Sequence, residues 1–225
     1  MRSLFIGLQG WCSSLTLVID VRNIKNELEL RSALRPAIEA LRQGGIVIYP
    51  TDTVYGIGCD PLNENALSRL LALKGREGKP LPLLASKVEV VKRVAEVTPK
   101  AEKLIRSFWP GPLTLVLPVK INFPHQITFG RPKIGVRIPE SNVARILAES
   151  IGGLIVGTSA NKSGEKAPRE FKSAYLWAKD KIDVAIDGGL CPIGQPSTVV
   201  EINYEIKVIR EGAIEINDIM KALRC

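Results

Sequence analysis

Short apolar, β-branched runs alternate with stretches of helical periodicity from residue 15 to residue 223, which restricts the chain to an α/β fold with helices packed on a sheet. Leu15–Val21, Ile46–Tyr49, Leu81–Ala85, Leu113–Val119, Ile134–Ile138, Leu154–Gly157 and Val184–Asp187 read as strands, with Thr53–Gly58 a further extended piece. Pro36–Gln43, Asn63–Lys74, Val88–Ala95, Pro99–Phe108, Asn142–Ser150, Phe171–Lys179 and Ile216–Leu223 carry helical periodicity. Thr198–Ile202 and Ile206–Arg210 follow one another with no helix between them, so the sheet is expected to be mixed. No repeat, low-complexity tract or Pro/Gly/Ser-rich linker divides the chain, and one domain over residues 16–225 is expected. Residues 1–15 faintly resemble a signal peptide, but Gln9, Gly10 and two serines interrupt their apolar stretch. They are expected to form an extension outside the domain, because the strong periodic elements begin later.

Composition narrows the chemistry. The 31 Lys plus Arg against 23 Asp plus Glu give a net charge of +8, which favours polyanionic partners without choosing between nucleotides, nucleic acid and anionic surfaces. His125 is the only histidine, so multi-histidine metal sites are excluded and His-dependent nucleophilic machinery would rest on that one residue. Its setting, Phe123-Pro124-His125-Gln126, reads as a surface loop. Cys12, Cys59, Cys191 and Cys225 are widely spaced, which gives neither a zinc pattern nor a compact disulfide framework and suits reduced thiols in a cytoplasm. No stretch reaches the roughly 20 apolar residues of a membrane span.

The sequence has neither the GxxxxGK[ST] loop nor a strand followed by GxGxxG. A bound nucleotide would therefore rely on scattered cations and backbone amides. Lys74, Arg76 and Lys79 cluster in a helix-to-strand connection, and Arg131, Lys133 and Arg137 precede or enter a strand. Each cluster is compatible with a solvated face as well as a phosphate site. Arg137 is different, because it interrupts the apolar run Ile134–Ile138 and, if buried, needs a carboxylate or phosphate partner. Gly157-Thr158-Ser159-Ala160-Asn161 follows an apolar strand, where α/β proteins often present hydroxyls and amides to ligands.

Taken in order, Tyr49-Pro50-Thr51-Asp52-Thr53-Val54-Tyr55-Gly56, Leu73-Lys74-Gly75-Arg76, Lys79-Pro80-Leu81, Trp109-Pro110-Gly111-Pro112-Leu113-Thr114, Gly135-Val136-Arg137-Ile138-Pro139, Thr158-Ser159-Ala160-Asn161 and Ser197-Thr198-Val199 resemble the YrdC/Sua5 family over roughly residues 30 to 214. The resemblance implies a single YrdC-like α/β domain, with a twisted mixed sheet flanked by helices around a large, positively charged concave cavity. It implies synthesis of threonylcarbamoyl-AMP from L-threonine, bicarbonate and ATP, with release of pyrophosphate, for the threonylcarbamoyladenosine modification of tRNA. By the same resemblance, Lys74 and Arg76 would be catalytic, and Thr53, Arg137, Gly157 and Ser197 would hold L-threonine. Arg76, Lys79, Lys133, Ser159, Asn161 and Arg210 would hold ATP. Mg²⁺ is expected only with ATP and no protein metal site is expected. Weak binding of tRNA or double-stranded RNA and a downstream tRNA threonylcarbamoyl transferase are the further partners implied. Two positions depart from the family pattern. Leu84 stands where some members carry a histidine, and Lys79 where an asparagine can occur.

Two other readings compete. An RNA-binding protein without turnover would use the same charge, although aromatic residues are not interleaved with the basic clusters. A carbamoyl-transfer module, as in hydrogenase-maturation proteins, would be expected to come with zinc-binding cysteine pairs, which this sequence lacks.

Overall fold

A computed structural model describes residues 16–75, 78–203 and 206–224. The extension expected over residues 1–15 lies outside the described residues, as does Arg76. In chain order the elements are β1 (Leu17–Asp20), α1 (Glu27–Ala33), α2 (Arg35–Arg42), β2 (Val47–Tyr49), β3 (Gly56–Gly58), α3 (Glu64–Lys74), β4 (Leu83–Ala85), α4 (Val88–Val94), α5 (Pro99–Phe108) and β5 (Leu113–Pro118). There follow α6 (His125–Thr128), β6 (Lys133–Arg137), α7 (Asn142–Ser150), β7 (Leu154–Val156), β8 (Thr158–Ser159), α8 (Phe171–Ala178), β9 (Val184–Asp187), β10 (Thr198–Ile202), β11 (Ile206–Arg210) and α9 (Ile216–Arg224). Side-chain caps mark several helix starts, with Asn63 accepting from Ala66 N, Thr98 from Ala101 N and Ser141 from Ala144 N.

The strands are divided between two mixed sheets, ordered β1-β9-β2-β3-β8 and β11-β10-β5-β6-β4-β7. In the first, β1, β9 and β2 run parallel and β3 is antiparallel to its neighbours β2 and β8. The second alternates antiparallel and parallel pairs across its width. Alternate side chains of the buried strands serve two cores. Ile46, Ile48, Leu83, Ala85 and Ala185 join a core with α3, α4, α5, α8 and α9, whereas Val47, Tyr49, Leu84, Val184 and Ile186 join one with α1, α2 and α7.

The sheets meet where β3 ends and β7 begins to leave its own sheet. Val156 N donates to Cys59 O at 3.0 Å, and the buried Tyr49 hydroxyl donates to Val156 O at 2.7 Å. Gly58 makes this approach possible, since a Cβ there would stand 1.8 Å from Val156 O. The chain then bends at Gly157 and passes from β7 in the second sheet to β8 in the first. The concave space between these sheets holds the site.

Among the described residues no helix is long and apolar enough to cross a membrane. His125 is exposed, as a surface position requires, but it opens the short helix α6 and does not lie in a loop.

Candidate active site

A cavity of about 730 Å³ lies between the sheets, within the size range of small-molecule and cofactor sites. Its floor follows from strand periodicity, because Lys133, Gly135 and Arg137 of β6, Thr114 and Val116 of β5, and Val199 and Glu201 of β10 all face it. The intervening Ile134, Val136, Leu115 and Val200 face the core. Lys79, Arg131, Lys133, Arg137 and Arg210 line the wall, and Glu201 is the only carboxylate among the described lining residues.

The deepest charge is Arg137, 5% exposed. Its Nε donates to Gly111 O at 2.9 Å, Nη1 to Thr53 Oγ1 at 2.9 Å, and Nη2 to Asp52 Oδ1. Three of the five guanidinium N–H groups are thus used, leaving one on each Nη. Burial pushes the Arg137 pKa down from its ordinary value while the Asp52 carboxylate pulls it up. Arginine stays charged in this setting, and the pair with Asp52, itself 3% exposed, makes that burial tolerable. Thr51 shapes the loop that brings Asp52 and Thr53 to Arg137. Its Oγ1 accepts from Thr53 N and Val54 N at 3.1 and 3.2 Å and lies 2.6 Å from Val54 O. From the other side, Ile193 N and Gly194 N donate to Asp52 O and Thr53 O.

Ser197 shares a 2.8 Å hydrogen bond with Thr114 and accepts from Arg210, whose Nη2 donates to Ser197 O at 2.8 Å and reaches Oγ at 3.2 Å. Burial lowers the Arg210 pKa. Gly157 donates its N–H to Pro82 O at 2.8 Å, so its carbonyl is what it can offer a ligand. A Cβ at Gly157 would stand 2.3 Å from Leu84 Cγ, so the apolar Leu84 side chain fills the space beside it.

The structure brings Thr53, Lys79, Lys133, Arg137, Gly157, Ser159, Ser197 and Arg210 onto one wall. It does not bring Lys74 or Asn161 there. Lys74 ends α3 on its inward side, 2% exposed, and its Nζ donates to Ser159 O at 2.5 Å and Asn161 O at 2.8 Å. It also lies 5.6 Å from the Trp177 ring centroid. Asn161 is buried, with Nδ2 donating to Lys162 O and Glu165 O. Both therefore hold the 159–165 segment from behind Ser159, a placement that differs from the catalytic role expected of Lys74 and the ATP contact expected of Asn161. Lys74→Met is accordingly expected to cost about 2 to 3 kcal/mol of stability, since hydrogen bonds from a charged donor are lost. That is a fall of roughly 5 to 10 °C in Tm for a chain of this size. Thermal unfolding checks it, and an unchanged Tm with lost turnover would put the ammonium in the cavity instead.

Two features escaped the sequence reading: Asp52, which anchors Arg137 from outside the cavity lining, and Glu201 on the cavity wall. Asp52 lies inside a quoted motif, but its pairing with a residue 85 positions away has no local signal. Glu201 was legible in principle, because Ser197, Val199 and Glu201 share the period of a strand face. Among the described residues no group of three or more His, Cys, Asp or Glu could hold a metal. Glu201 is already paired with Lys133 at 2.5 Å, so these residues make no cage for a resident Mg²⁺.

These features define an α/β protein with a cation-lined cavity built between two mixed sheets. The chain belongs to the Sua5/YciO/YrdC family, whose model, described as telomere recombination, matches residues 39–212. It is 37% identical over 215 residues to the threonylcarbamoyl-AMP synthase of Pyrococcus abyssi, covering 93% of this chain and 61% of that one. Against the threonylcarbamoyl-AMP synthase of Coxiella burnetii (strain RSA 331 / Henzerling II) it is 36% identical over 169 residues, covering 74% of this chain and 91% of that one. The crystal structure of Pyrococcus abyssi Sua5 complexed with L-threonine matches with a TM-score of 0.85 and 36% identity, over 92% of this chain and 61% of that chain. The chain thus spans about three fifths of the Pyrococcus relative and most of the Coxiella one.

Proposed function

We propose that the cavity joins L-threonine, bicarbonate and ATP into threonylcarbamoyl-AMP, releasing pyrophosphate and water. The observation that carries this reading is the buried Arg137 guanidinium on the floor of a cavity whose other cations stand along the wall. Such an arrangement suits one small carboxylate deep inside and a polyphosphate beside it. The likeness to a protein crystallised with L-threonine supports the assignment of the deep subsite.

In this reading the two remaining Nη hydrogens of Arg137 take the threonine carboxylate, the Thr53 and Ser197 hydroxyls flank it, and the Gly157 carbonyl faces the amine. The amine nitrogen attacks carbon dioxide derived from bicarbonate, forming the carbamate N–C bond with loss of a proton. A carbamate oxygen then attacks the α-phosphorus of ATP, and the bond to the bridging oxygen of the pyrophosphate breaks. Lys79, Lys133 and Arg210, with Ser159 beside them, neutralise charge growing on the departing phosphates. Arg76 is expected to act with them. Mg²⁺ enters as the counter-ion of ATP. Lys74 and Asn161 act by holding Ser159 in place.

Pyrophosphate release is expected to require bicarbonate as well as threonine, because the carbamate and not the free carboxylate is the nucleophile. Coupled pyrophosphate detection in carbon-dioxide-depleted buffer checks this. Equal rates with and without bicarbonate would indicate ordinary amino-acid adenylation.

A further inference from the structure

Glu201 has no part in the chemistry above, yet it is the one carboxylate among the described residues of a wall that carries five cations. It lies on β10, and its Oε1 accepts from Lys133 Nζ at 2.5 Å and from Asn203 Nδ2 at 3.0 Å. Lys133 Nζ also donates to Asn203 Oδ1 at 2.5 Å, which closes a three-membered polar cluster at the cavity wall. The Lys133 and Glu201 side chains are 25% and 20% exposed, so the pair is half-buried but reachable by a ligand.

An ammonium so held is a poor phosphate ligand for two reasons. Its charge is neutralised at contact distance, and a triphosphate drawn toward it also meets the Glu201 carboxylate, which repels it. A phosphate must therefore win Lys133 from Glu201. The contrast is with Lys79, Arg131 and Arg210, for which no carboxylate partner is found among the described residues. Lysine suits such an exchange, since its flexible stem and point charge can turn from one oxygen to another, whereas the planar fork of arginine is held by geometry. Lys133 as the chief donor to the carboxylate, together with Asn203, keeps the Glu201 pKa below its ordinary value even though burial pushes it up, so Glu201 stays ionised and competes at neutral pH.

We propose that Glu201 is a built-in competitor for the phosphates: it holds Lys133 in the phosphate-free cavity, yields it to the bound triphosphate, and recaptures it as pyrophosphate leaves. Glu201 is then a positioning residue that acts through Lys133 and weakens phosphate affinity so that product can depart. This rests on the nucleotide reading of the cavity and adds to it a residue that governs release.

The test is calorimetric titration of the whole protein with pyrophosphate, ATP and 2′-deoxyATP, each in wild type, Glu201→Gln, Lys133→Gln and the double variant. At position 201 glutamine keeps the shape of glutamate and removes its charge, and at position 133 it removes the ammonium. Pyrophosphate and ATP are expected to bind Glu201→Gln on the order of tenfold tighter, the size expected when Lys133 no longer has to be won from a carboxylate in a partly solvated site. Pyrophosphate should inhibit turnover more strongly in the same proportion. In the Lys133→Gln background most of that gain should vanish, because the carboxylate then has no ammonium to withhold. Unchanged or weaker pyrophosphate binding in Glu201→Gln would overturn the proposal. So would a gain that survives undiminished without Lys133. Unchanged pyrophosphate binding with lost discrimination between ATP and 2′-deoxyATP would overturn it in favour of a ribose contact. Wild-type protein that binds neither ATP nor pyrophosphate would instead overturn the nucleotide reading itself.

Discussion

Replacing Arg137 with alanine is expected to cost about 2 to 5 kcal/mol of L-threonine binding, the penalty for truncating one side of a buried charged pair. That is a loss of roughly 30-fold to several thousand-fold in affinity. ATP binding should stay close to wild type. The same substitution strands Asp52, a carboxylate 3% exposed whose Oδ2 has no hydrogen-bond partner, and should cost a further 3 to 5 kcal/mol of folding stability, an order-of-magnitude figure for breaking a buried pair. Arg137→Lys separates the two effects. A lysine keeps a cation for Asp52, so the fold should survive, but a point charge cannot reproduce the donors that reach Gly111 O, Thr53 and Asp52 at once. Threonine affinity should therefore fall in the lysine variant while Tm changes little. Calorimetric titration of both ligands, with thermal unfolding alongside, reads each outcome. A loss of ATP affinity with intact threonine affinity would assign Arg137 to the phosphates. No change in either would make its three hydrogen bonds purely structural.

The second large effect is on the fold. Gly58→Ala would place a Cβ 1.8 Å from Val156 O and 2.9 Å from Val156 C, and the obstacle is backbone, which cannot rotate aside. Relief requires the sheets to part, losing Val156 N to Cys59 O and Tyr49 Oη to Val156 O. The expected cost exceeds about 4 kcal/mol, among the largest for a single substitution, out of a total stability of roughly 5 to 15 kcal/mol. Failure to accumulate as soluble protein, or a Tm lowered by more than about 10 °C, should follow. Gly135→Ala is the comparison, because its Cβ would meet Thr114 Cγ2 at an ordinary 3.5 Å and should leave Tm nearly unchanged. A wild-type Tm for Gly58→Ala would contradict the contact between the sheets.

Much of this architecture is legible in the chain because hydrophobic period and punctuation agree. Asn142–Ser150 and Pro99–Phe108 are helices with the bounds their periodicity and caps predict, and Val184–Asp187, Thr198–Ile202 and Ile206–Arg210 are strands with the expected bounds. The misses share a cause, which is weak local signal. Helix α1 buries only Leu30 and so shows no apolar stripe. Strand β8 has two residues and α6 four, too short for any period. That the strands divide into two sheets depends on the close approach at Gly58 and Val156, residues nearly a hundred positions apart. In the site, the anomaly of an arginine within an apolar strand was readable from physics alone. Its anchor Asp52, the inward turn of Lys74 and the pairing of Lys133 with Glu201 are tertiary facts. For Lys74, basic character on a helix end is equally compatible with phosphate contact and with capping backbone carbonyls, and only packing against residues 159–161 decides.

The most direct test of the proposed function is mass detection of the nucleotide product after incubation with ATP, L-threonine and ¹³C-bicarbonate. The proposal requires threonylcarbamoyl-AMP carrying one labelled carbon, formed together with pyrophosphate, and no such adduct when threonine is omitted. Unlabelled threonyl-AMP, or ADP and phosphate in place of AMP-linked product, would contradict it.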